Sequence, residues 1–274
     1  MRFISLASSS KGNSTLISYK NTNILVDCGI SRKRIEEALS KFSLSFNDID
    51  CIFITHEHSD HISALPTILK DYDIKIVSQR DTLSAILNYC EEKGVKPNTD
   101  NFKIISPVNI LNDNCSFEVG DIIFYPLKGK HDVPSLFYKF KLGDIVVAIL
   151  TDMGEYNEYT LRSIMDVNYL MLESNYDENI LLNNRYPDWL KRRIIGEGGH
   201  LSNIDAANII MKLDSNNVKE VYLSHISDDS NTEENAYNEV YRYIEENYSG
   251  DVPLPKIKIA KRLEMTEIIN DIGN

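Results

Sequence analysis

The sequence predicts an α/β sandwich of four layers (αββα), two sheets packed together with helices on the outside. Three observations point there. Strand-like and helix-like segments alternate in two successive blocks, no stretch of the 274 residues reads as a long linker, and both blocks carry histidine and aspartate placed to share one metal centre. A chain of this length could form one large domain or two small ones. The unbroken alternation favours one, residues 1–274.

In chain order, residues 3–7, 15–19 and 24–28 read as strands, with turns at 8–13 and 21–23. Residues 31–42 read as a helix, because Ile35, Ala38 and Leu39 share a face and Ser31 can cap its start. The apolar, β-branched run 51–55 is a buried strand, 62–69 a helix, 74–78 a strand and 81–93 a helix. The second block repeats the pattern: strands at 115–119, 122–127, 136–142 and 145–150, a helix between 155 and 165, and a strand at 169–172. Helices over 202–213 and 232–248 flank a last strand at 220–223.

Composition narrows the class. Hydrophobic residues at 42% and charged ones at 26% are ordinary for a soluble globular chain, and no apolar run approaches the ~20 residues of a membrane helix. The first seven residues resemble the start of a signal peptide, but the apolar run stops at serines and no cleavage pattern follows. Cys28, Cys51, Cys90 and Cys115 are widely spaced and form no C-x-x-C pair, so reduced thiols and a cytoplasmic location are expected. The net charge of −12 argues against a protein that coats nucleic acid through a broad basic face. It leaves room for an enzyme whose metal ions and a small basic cluster hold a phosphate. Arg185, Lys191, Arg192 and Arg193 form the clearest such cluster, with a solvated helix face as the plainer alternative.

Half of the six histidines fall in one string, His56-Glu57-His58-Ser59-Asp60-His61, directly after the strand 51–55. A continued strand would put His61 on the face opposite His56, His58 and Asp60; a helix would throw His56 and His58 to opposite sides. Only a strand-to-helix turn lets all four side chains converge. Imidazole with carboxylate suits zinc, iron or manganese, and such a centre supplies the Lewis acid and activated water of a hydrolase. The helical His-Glu-x-x-His zinc motif is excluded, since the residue four after His56 is Asp60. Three further groups lie just past apolar strands, where a scaffold places functional residues: His131, Asp152 and His225.

HEHSDH with the later His131, Asp152 and His225 resembles the H-x-H-x-D-H…His…Asp…His hallmark of the metallo-β-lactamase superfamily. The strings SLASSSKGNSTLI, LVDCGIS, HDVPSLFYKF, LTDMG, LESNYD, RYPDWLKRRI, GHLSN and LSHIS are similar to its YycJ/WalJ-type branch of bacterial and phage nucleases, which includes 5′-to-3′ double-strand DNA exonucleases. The resemblance implies the superfamily's αββα fold and two divalent cations, zinc or manganese. His56, His58 and His131 would hold one ion, Asp60, His61 and His225 the other, and Asp152 would bridge them. It also implies that Asp27 steadies the ligand turn; an ordinary strand-end turn residue is the alternative.

His200, in Gly196-Glu197-Gly198-Gly199-His200, is not needed to complete either ion's ligands. By resemblance to the nuclease branches it would be the general acid, oriented by Glu173, so that His200, Glu173 and Asp60 are the catalytic candidates. A loop histidine next to a helix start is the alternative. Ser202 and Asp205 have capping-box spacing, and N–H groups at that helix start could bind phosphate. Ser10, Asn13, Ser202, Asn203 and Arg185 are candidate substrate contacts, with ordinary turn chemistry as the rival reading. The expected activity is a dinuclear phosphodiesterase, foremost a DNA exonuclease. The rivals are a cyclic-nucleotide phosphodiesterase, a thioester or lactone hydrolase in which His200 and Glu173 stand idle, and a metal-binding module without turnover.

Overall fold

The computed structural model describes residues 1–108 and 116–271. Its first half runs β1 (Arg2–Ser9), β2 (Gly12–Tyr19), β3 (Thr22–Val26), α1 (Arg32–Ser40), β4 (Cys51–Phe53), α2 (Ser59–Ile62), α3 (Leu65–Leu69), β5 (Lys75–Ser78), α4 (Arg80–Glu92) and β6 (Phe102–Ile104). Then come β7 (Phe117–Val119), β8 (Ile122–Lys128), β9 (Leu136–Leu142), β10 (Ile145–Leu150), α5 (Glu158–Ile164), β11 (Tyr169–Glu173), α6 (Glu178–Asn183), α7 (Asp188–Ile195), α8 (Asn203–Ile210), β12 (Glu220–Ser224), α9 (Glu233–Asn247), β13 (Lys256–Ile259) and β14 (Thr266–Asn270). Cys115, expected to open the strand at 115–119 and to carry a reduced thiol, lies outside the described residues; Cys28, Cys51 and Cys90 are buried and free. No helix among the described residues is long and apolar enough to cross a membrane.

The strands form two seven-stranded sheets, ordered β14-β1-β2-β3-β4-β5-β6 and β13-β12-β11-β10-β9-β8-β7. Alternation along each strand sorts side chains to two faces. In the first sheet Ile4, Leu16, Leu25, Ile52 and Ile76 point to α1, α3 and α4, where they meet Ile35, Leu39, Leu65 and Ile86. Their neighbours Phe3, Ile17, Ile24, Phe53 and Val77 point the other way and share one core with Phe124, Tyr138, Phe140, Val147 and Met171 of the second sheet. The outer face of the second sheet, with Ala148, Leu150, Leu170 and Val221, is covered by α5, α8 and α9 through Ile164, Ala206, Ile210 and Val240. Two sheets inside and two helical layers outside make the αββα sandwich. Phe53 keys the sheets together, its ring centroid 4.7 Å from Phe124, 5.2 Å from Tyr138 and 5.3 Å from Phe140 in edge-on contacts, each worth about 0.5–1.5 kcal/mol beyond area burial.

The expected helix over 62–69 is two short helices. α2 begins earlier, at Ser59, and stops at Ile62; Pro66 lies four residues further on, lacks an N–H for the Ile62 carbonyl and would collide with it, so the chain restarts as α3. The split keeps Asp60 and His61 in the first turn after β4, the strand-to-helix turn their convergence demands. β6, β13, β14, α6 and α7 are additions to the elements expected from the sequence.

Candidate metal centre

Parallel pairing builds the site. β3, β4 and β5 run parallel in one sheet and β10, β11 and β12 in the other, so each set delivers its C-terminal ends to the same edge, the usual place for ligands in α/β sheets. From the first sheet come Asp27 after β3 and Thr55, His56 and His58 after β4. From the second come Asp152 after β10, Glu173 at the end of β11, His225 after β12, and His131 from the β8–β9 loop. Asp27, Asp152 and His225 take left-handed backbone angles, with φ of 61°, 59° and 52°. Such conformations cost roughly 1–3 kcal/mol each in non-glycine residues and persist where the surroundings impose them. Gly29 lets the chain after β3 press on the ligand turn, since a Cβ there would collide with the Asp60 carbonyl. The two halves are tied at the rim, where the His225 N–H donates to Ser8 Oγ at 2.9 Å.

His56, His58 and His131 form one cluster. His58 Nδ1 lies 3.0 Å from His56 Nε2 and 3.2 Å from His131 Nε2. The outer ring nitrogens have partners that determine which nitrogen faces inward with a lone pair. His131 Nδ1 donates to the Gly199 carbonyl at 3.0 Å. His56 Nδ1 lies 3.0 Å from Thr55 Oγ1, which itself donates to Asp27 at 3.0 Å. His58 Nε2 sits 3.4 Å from Asp132 Oδ1.

Asp60, His61, Asp152 and His225 form a second cluster beside it. Asp60 Oδ2 is 3.5 Å from His61 Nε2 and 3.4 Å from His225 Nε2. Asp152 spans both groups: Oδ2 lies 3.0 Å from His61 Nε2 and 3.5 Å from His225 Nε2, while Oδ1 faces His131 Nε2 at 3.7 Å. Although buried, Asp152 Oδ2 makes no hydrogen bond of acceptable geometry. An orphaned, buried carboxylate oxygen ringed by imidazole nitrogens is satisfied by a cation, and this donor set suits divalent ions. His61 is aimed by Asp27, which accepts from its Nδ1 at 2.8 Å.

The clusters differ in charge. Burial holds the His56, His58 and His131 imidazoles below their ordinary range, so the first cluster is neutral. In the second, burial alone would lower His61, but Asp27, Asp152 and Asp60 outweigh it and raise the group well above that range. Asp152, Asp60 and Glu173 likewise overcome burial at His225 and push it up to about 10. At neutral pH both imidazoles therefore carry protons that a cation must displace. Because the ion must displace these protons, lowering the pH strengthens their competition and weakens binding. Affinity at the second cluster is expected to climb at least about tenfold per pH unit from neutrality towards pH 10, while the first cluster changes little. Calorimetric zinc titration of the metal-free protein in buffers of different ionisation enthalpy reads this as proton release by one class of site only; equal release at both would contradict it.

His200 borders both clusters, its ring centroid 5.3 Å from His131 and 5.4 Å from His225. Its Nδ1 donates to Glu173 Oε1 at 2.9 Å, and the same oxygen accepts from His225 Nδ1 at 2.7 Å. Glu173 Oε2 accepts from the backbone N–H of Met153 at 2.6 Å and of Leu201 at 3.3 Å. Although burial opposes ionisation, His200 and His225 hold the Glu173 carboxyl below its usual range. Asp152, Glu173, His200 and His225 are thus close enough to suggest a third ion site. Both histidines, however, spend their Nδ1 on Glu173, so this group is a hydrogen-bond relay. The loop ahead of His200 is held by Gly199, where a Cβ would strike the Ile194 carbonyl.

The structure therefore brings together all seven residues expected around two ions, with Glu173 and His200 alongside. Of the expected substrate contacts, Asn13 lies at the centre, its Nδ2 donating to the Ser9 carbonyl at 2.9 Å and lying 3.1 Å from His61 Nε2. Ser10 is exposed at the β1–β2 tip, and Arg185 is exposed between α6 and α7. Ser202 and Asn203 require correction. Ser202 Oγ is committed to the capping box with Asp205, and Asn203 is fully buried with its amide bonded to Ser174, Asn231 and Glu239. Both hold the start of α8. Sequence reasoning missed Thr55, the second bond of Glu173, and Asp132 with Arg193. Asp132 Oδ1 touches His58 while Oδ2 accepts from Arg193 Nε at 2.6 Å. The adjacency His131-Asp132 was its only signal.

Comparison with known proteins agrees with this geometry. Residues 10–150 match the family model described as metallo-beta-lactamase superfamily. The chain is 34% identical over 251 residues to an exodeoxyribonuclease YycJ of Bacillus anthracis, covering 91% of each chain. It is 31% identical over 239 residues to an exodeoxyribonuclease WalJ of Streptococcus pneumoniae, covering 85% of this chain and 84% of the relative. Among solved structures, unliganded yeast PDE1 superposes with a TM-score of 0.69 over 98% of this chain and 100% of that one, at 15% identity, a likeness of fold.

Proposed function

The chain belongs to the metallo-β-lactamase superfamily and to its YycJ/WalJ-type branch, and from that premise we propose a dinuclear metal-dependent phosphodiesterase that degrades double-stranded DNA as a 5′-to-3′ exonuclease. The proposed ligands are His56, His58 and His131 for one ion and Asp60, His61 and His225 for the other, with Asp152 shared. Two divalent cations, zinc or manganese, would supply the Lewis acid and the activated water. The core shared by both sheets supports reading residues 1–274 as one hydrolase domain, and the buried, free thiols support a cytoplasmic setting.

The observation that carries the reading is a histidine that neither cluster needs. His200 Nδ1 is tied to Glu173, which leaves Nε2 free to hold a proton. Cleavage of a phosphodiester expels an alkoxide, whose high basicity makes protonation in the transition state valuable. His200 passes its Nε2 proton to that oxygen, and the Glu173 carboxylate stabilises the imidazolium that gives it. Release of a thiolate from a thioester has no such need. Glu173 also keeps the His225 Nδ1 proton in place, so that Nε2 points at the second cluster. Glu173→Gln is expected to lower second-site metal affinity by about 10–100-fold and to depress turnover at saturating metal as well. Metal titration with parallel rate measurement checks this; unchanged affinity would confine Glu173 to His200.

Incubating metal-loaded protein with duplex DNA labelled at either end, a panel of cyclic nucleotides and a thioester tests the function. Stepwise loss of nucleotides from 5′ ends is expected. Inactivity on every DNA form, with cyclic nucleotide or thioester consumed, would overturn it.

A further inference from the structure

α7 joins the metal centre to the outside. Its inner face, Leu190 and Ile194, packs with Tyr176, Leu181 and Tyr186. Its C-terminal end feeds the glycine loop, and the N–H of His200 donates to the Ile194 carbonyl at 2.9 Å. The outer face carries Trp189, the sole tryptophan of the chain, with 65% of its surface exposed. Arg192 and Arg193 lie three and four residues on, hence on the same face. Arg193 grips Asp132, whose other oxygen is 3.4 Å from His58 Nε2, so this face begins at the first cluster. One helical turn, about 6 Å, carries it out to the indole.

Charge identifies what would cover that face. In a chain of net charge −12, exposed Arg185 and Arg192 form no ion pair among the described residues, whereas Arg193 is paired with Asp132. Arg185 precedes α7 and Arg192 lies three residues past Trp189, so the chain carries a guanidinium group on each side of the aromatic plane in sequence, a chemistry complementary to a base between phosphates.

We propose that the outer face of α7 is a track for a single strand of nucleic acid: Trp189 stacks on a base a nucleotide or more from the scissile bond, and Arg192 and Arg185 contact the flanking phosphates. This rests on the nuclease reading and deepens it, because it assigns the residues that make the enzyme favour a polymer over a small diester. The track suits a terminal strand peeled from its complement, since an indole cannot stack on a paired, internal base.

The lone tryptophan makes the test direct. A cleavage-resistant phosphorothioate oligothymidine titrated into the full-length protein is expected to quench its emission saturably. Trp189→Ala should weaken binding by roughly 10–100-fold, measured by anisotropy of a labelled oligonucleotide, and Trp189→Phe should restore most of it. Arg192→Gln should flatten the plot of log affinity against log salt by about 0.7, one phosphate contact on a single strand. The ratio of kcat/KM for DNA to kcat/KM for bis(p-nitrophenyl) phosphate should fall with Trp189→Ala. DNA cleavage and binding at wild-type levels in Trp189→Ala would overturn the track while leaving the nuclease intact. Emission that responds to protein concentration and not to oligonucleotide would overturn it in favour of a self-association surface. A wild-type protein that cleaves no nucleic acid would remove the nuclease reading and the track together.

Discussion

Replacing Asp152 by alanine is expected to empty both metal sites and to lower kcat/KM by at least about 10³-fold, the rate equivalent of several kcal/mol of lost charge stabilisation. Its carboxylate spans both clusters: one oxygen lies 3.0 Å from His61 and 3.5 Å from His225, and the other 3.7 Å from His131. Its loss also leaves the imidazolium groups of the metal-free protein with a reduced counter-charge. Breaking a buried pair on one side costs about 3–5 kcal/mol, so the variant should melt earlier in chelator. Asp152→Asn keeps the shape and separates lost charge from lost packing. Elemental analysis after dialysis is the check, and two retained ions in both variants would show that Asp152 does not bridge.

His200→Ala is expected to keep both ions and still lose about 10²–10⁴ in DNA cleavage, the range that general acid–base catalysis contributes. The geometry separates this residue from the proposed ligands. His131, His61 and His225 each anchor one nitrogen on an acceptor and aim the other at a cluster. His200 anchors Nδ1 on Glu173 but stands at the edge, partly open to solvent. A variant that loses one equivalent of metal would instead make His200 a ligand, and the relay through Glu173 would need to be redrawn.

The ligand turn was legible because spacing alone decides it. His56, His58, Asp60 and His61 can converge only across a strand-to-helix turn, and β4 followed by α2 is that turn. The layers were legible from alternation, as in Phe53 and Ile52, which face opposite cores. The supporting bonds were not. Thr55 links Asp27 to His56 after β3 and β4, and Asp132 of the β8–β9 loop links Arg193 of α7 to His58 before α2; such partners are set by tertiary packing, which leaves no periodic trace. The expectation of one helix over 62–69 differs from the structure because Pro66 breaks the run into α2 and α3. Asn203 reads in the sequence as a candidate substrate contact or an ordinary turn residue, and its position beside a helix start hides that its amide completes a buried network with Ser174 and Asn231. The edge strand β13 carried a readable signal, the alternation Lys256, Ile257, Lys258, Ile259, which four residues make easy to pass over.

The leaving group offers the most direct test of the central claim, that a histidine outside the metal ligands makes this hydrolase a phosphodiesterase. The metal-loaded wild type and His200→Ala should be compared on DNA and on bis(p-nitrophenyl) phosphate, whose nitrophenolate departs without a proton. A loss of about 10²-fold or more on DNA beside a change of only a few-fold on the activated ester is the expected result. An equal loss on both substrates, or no loss on DNA, would contradict it.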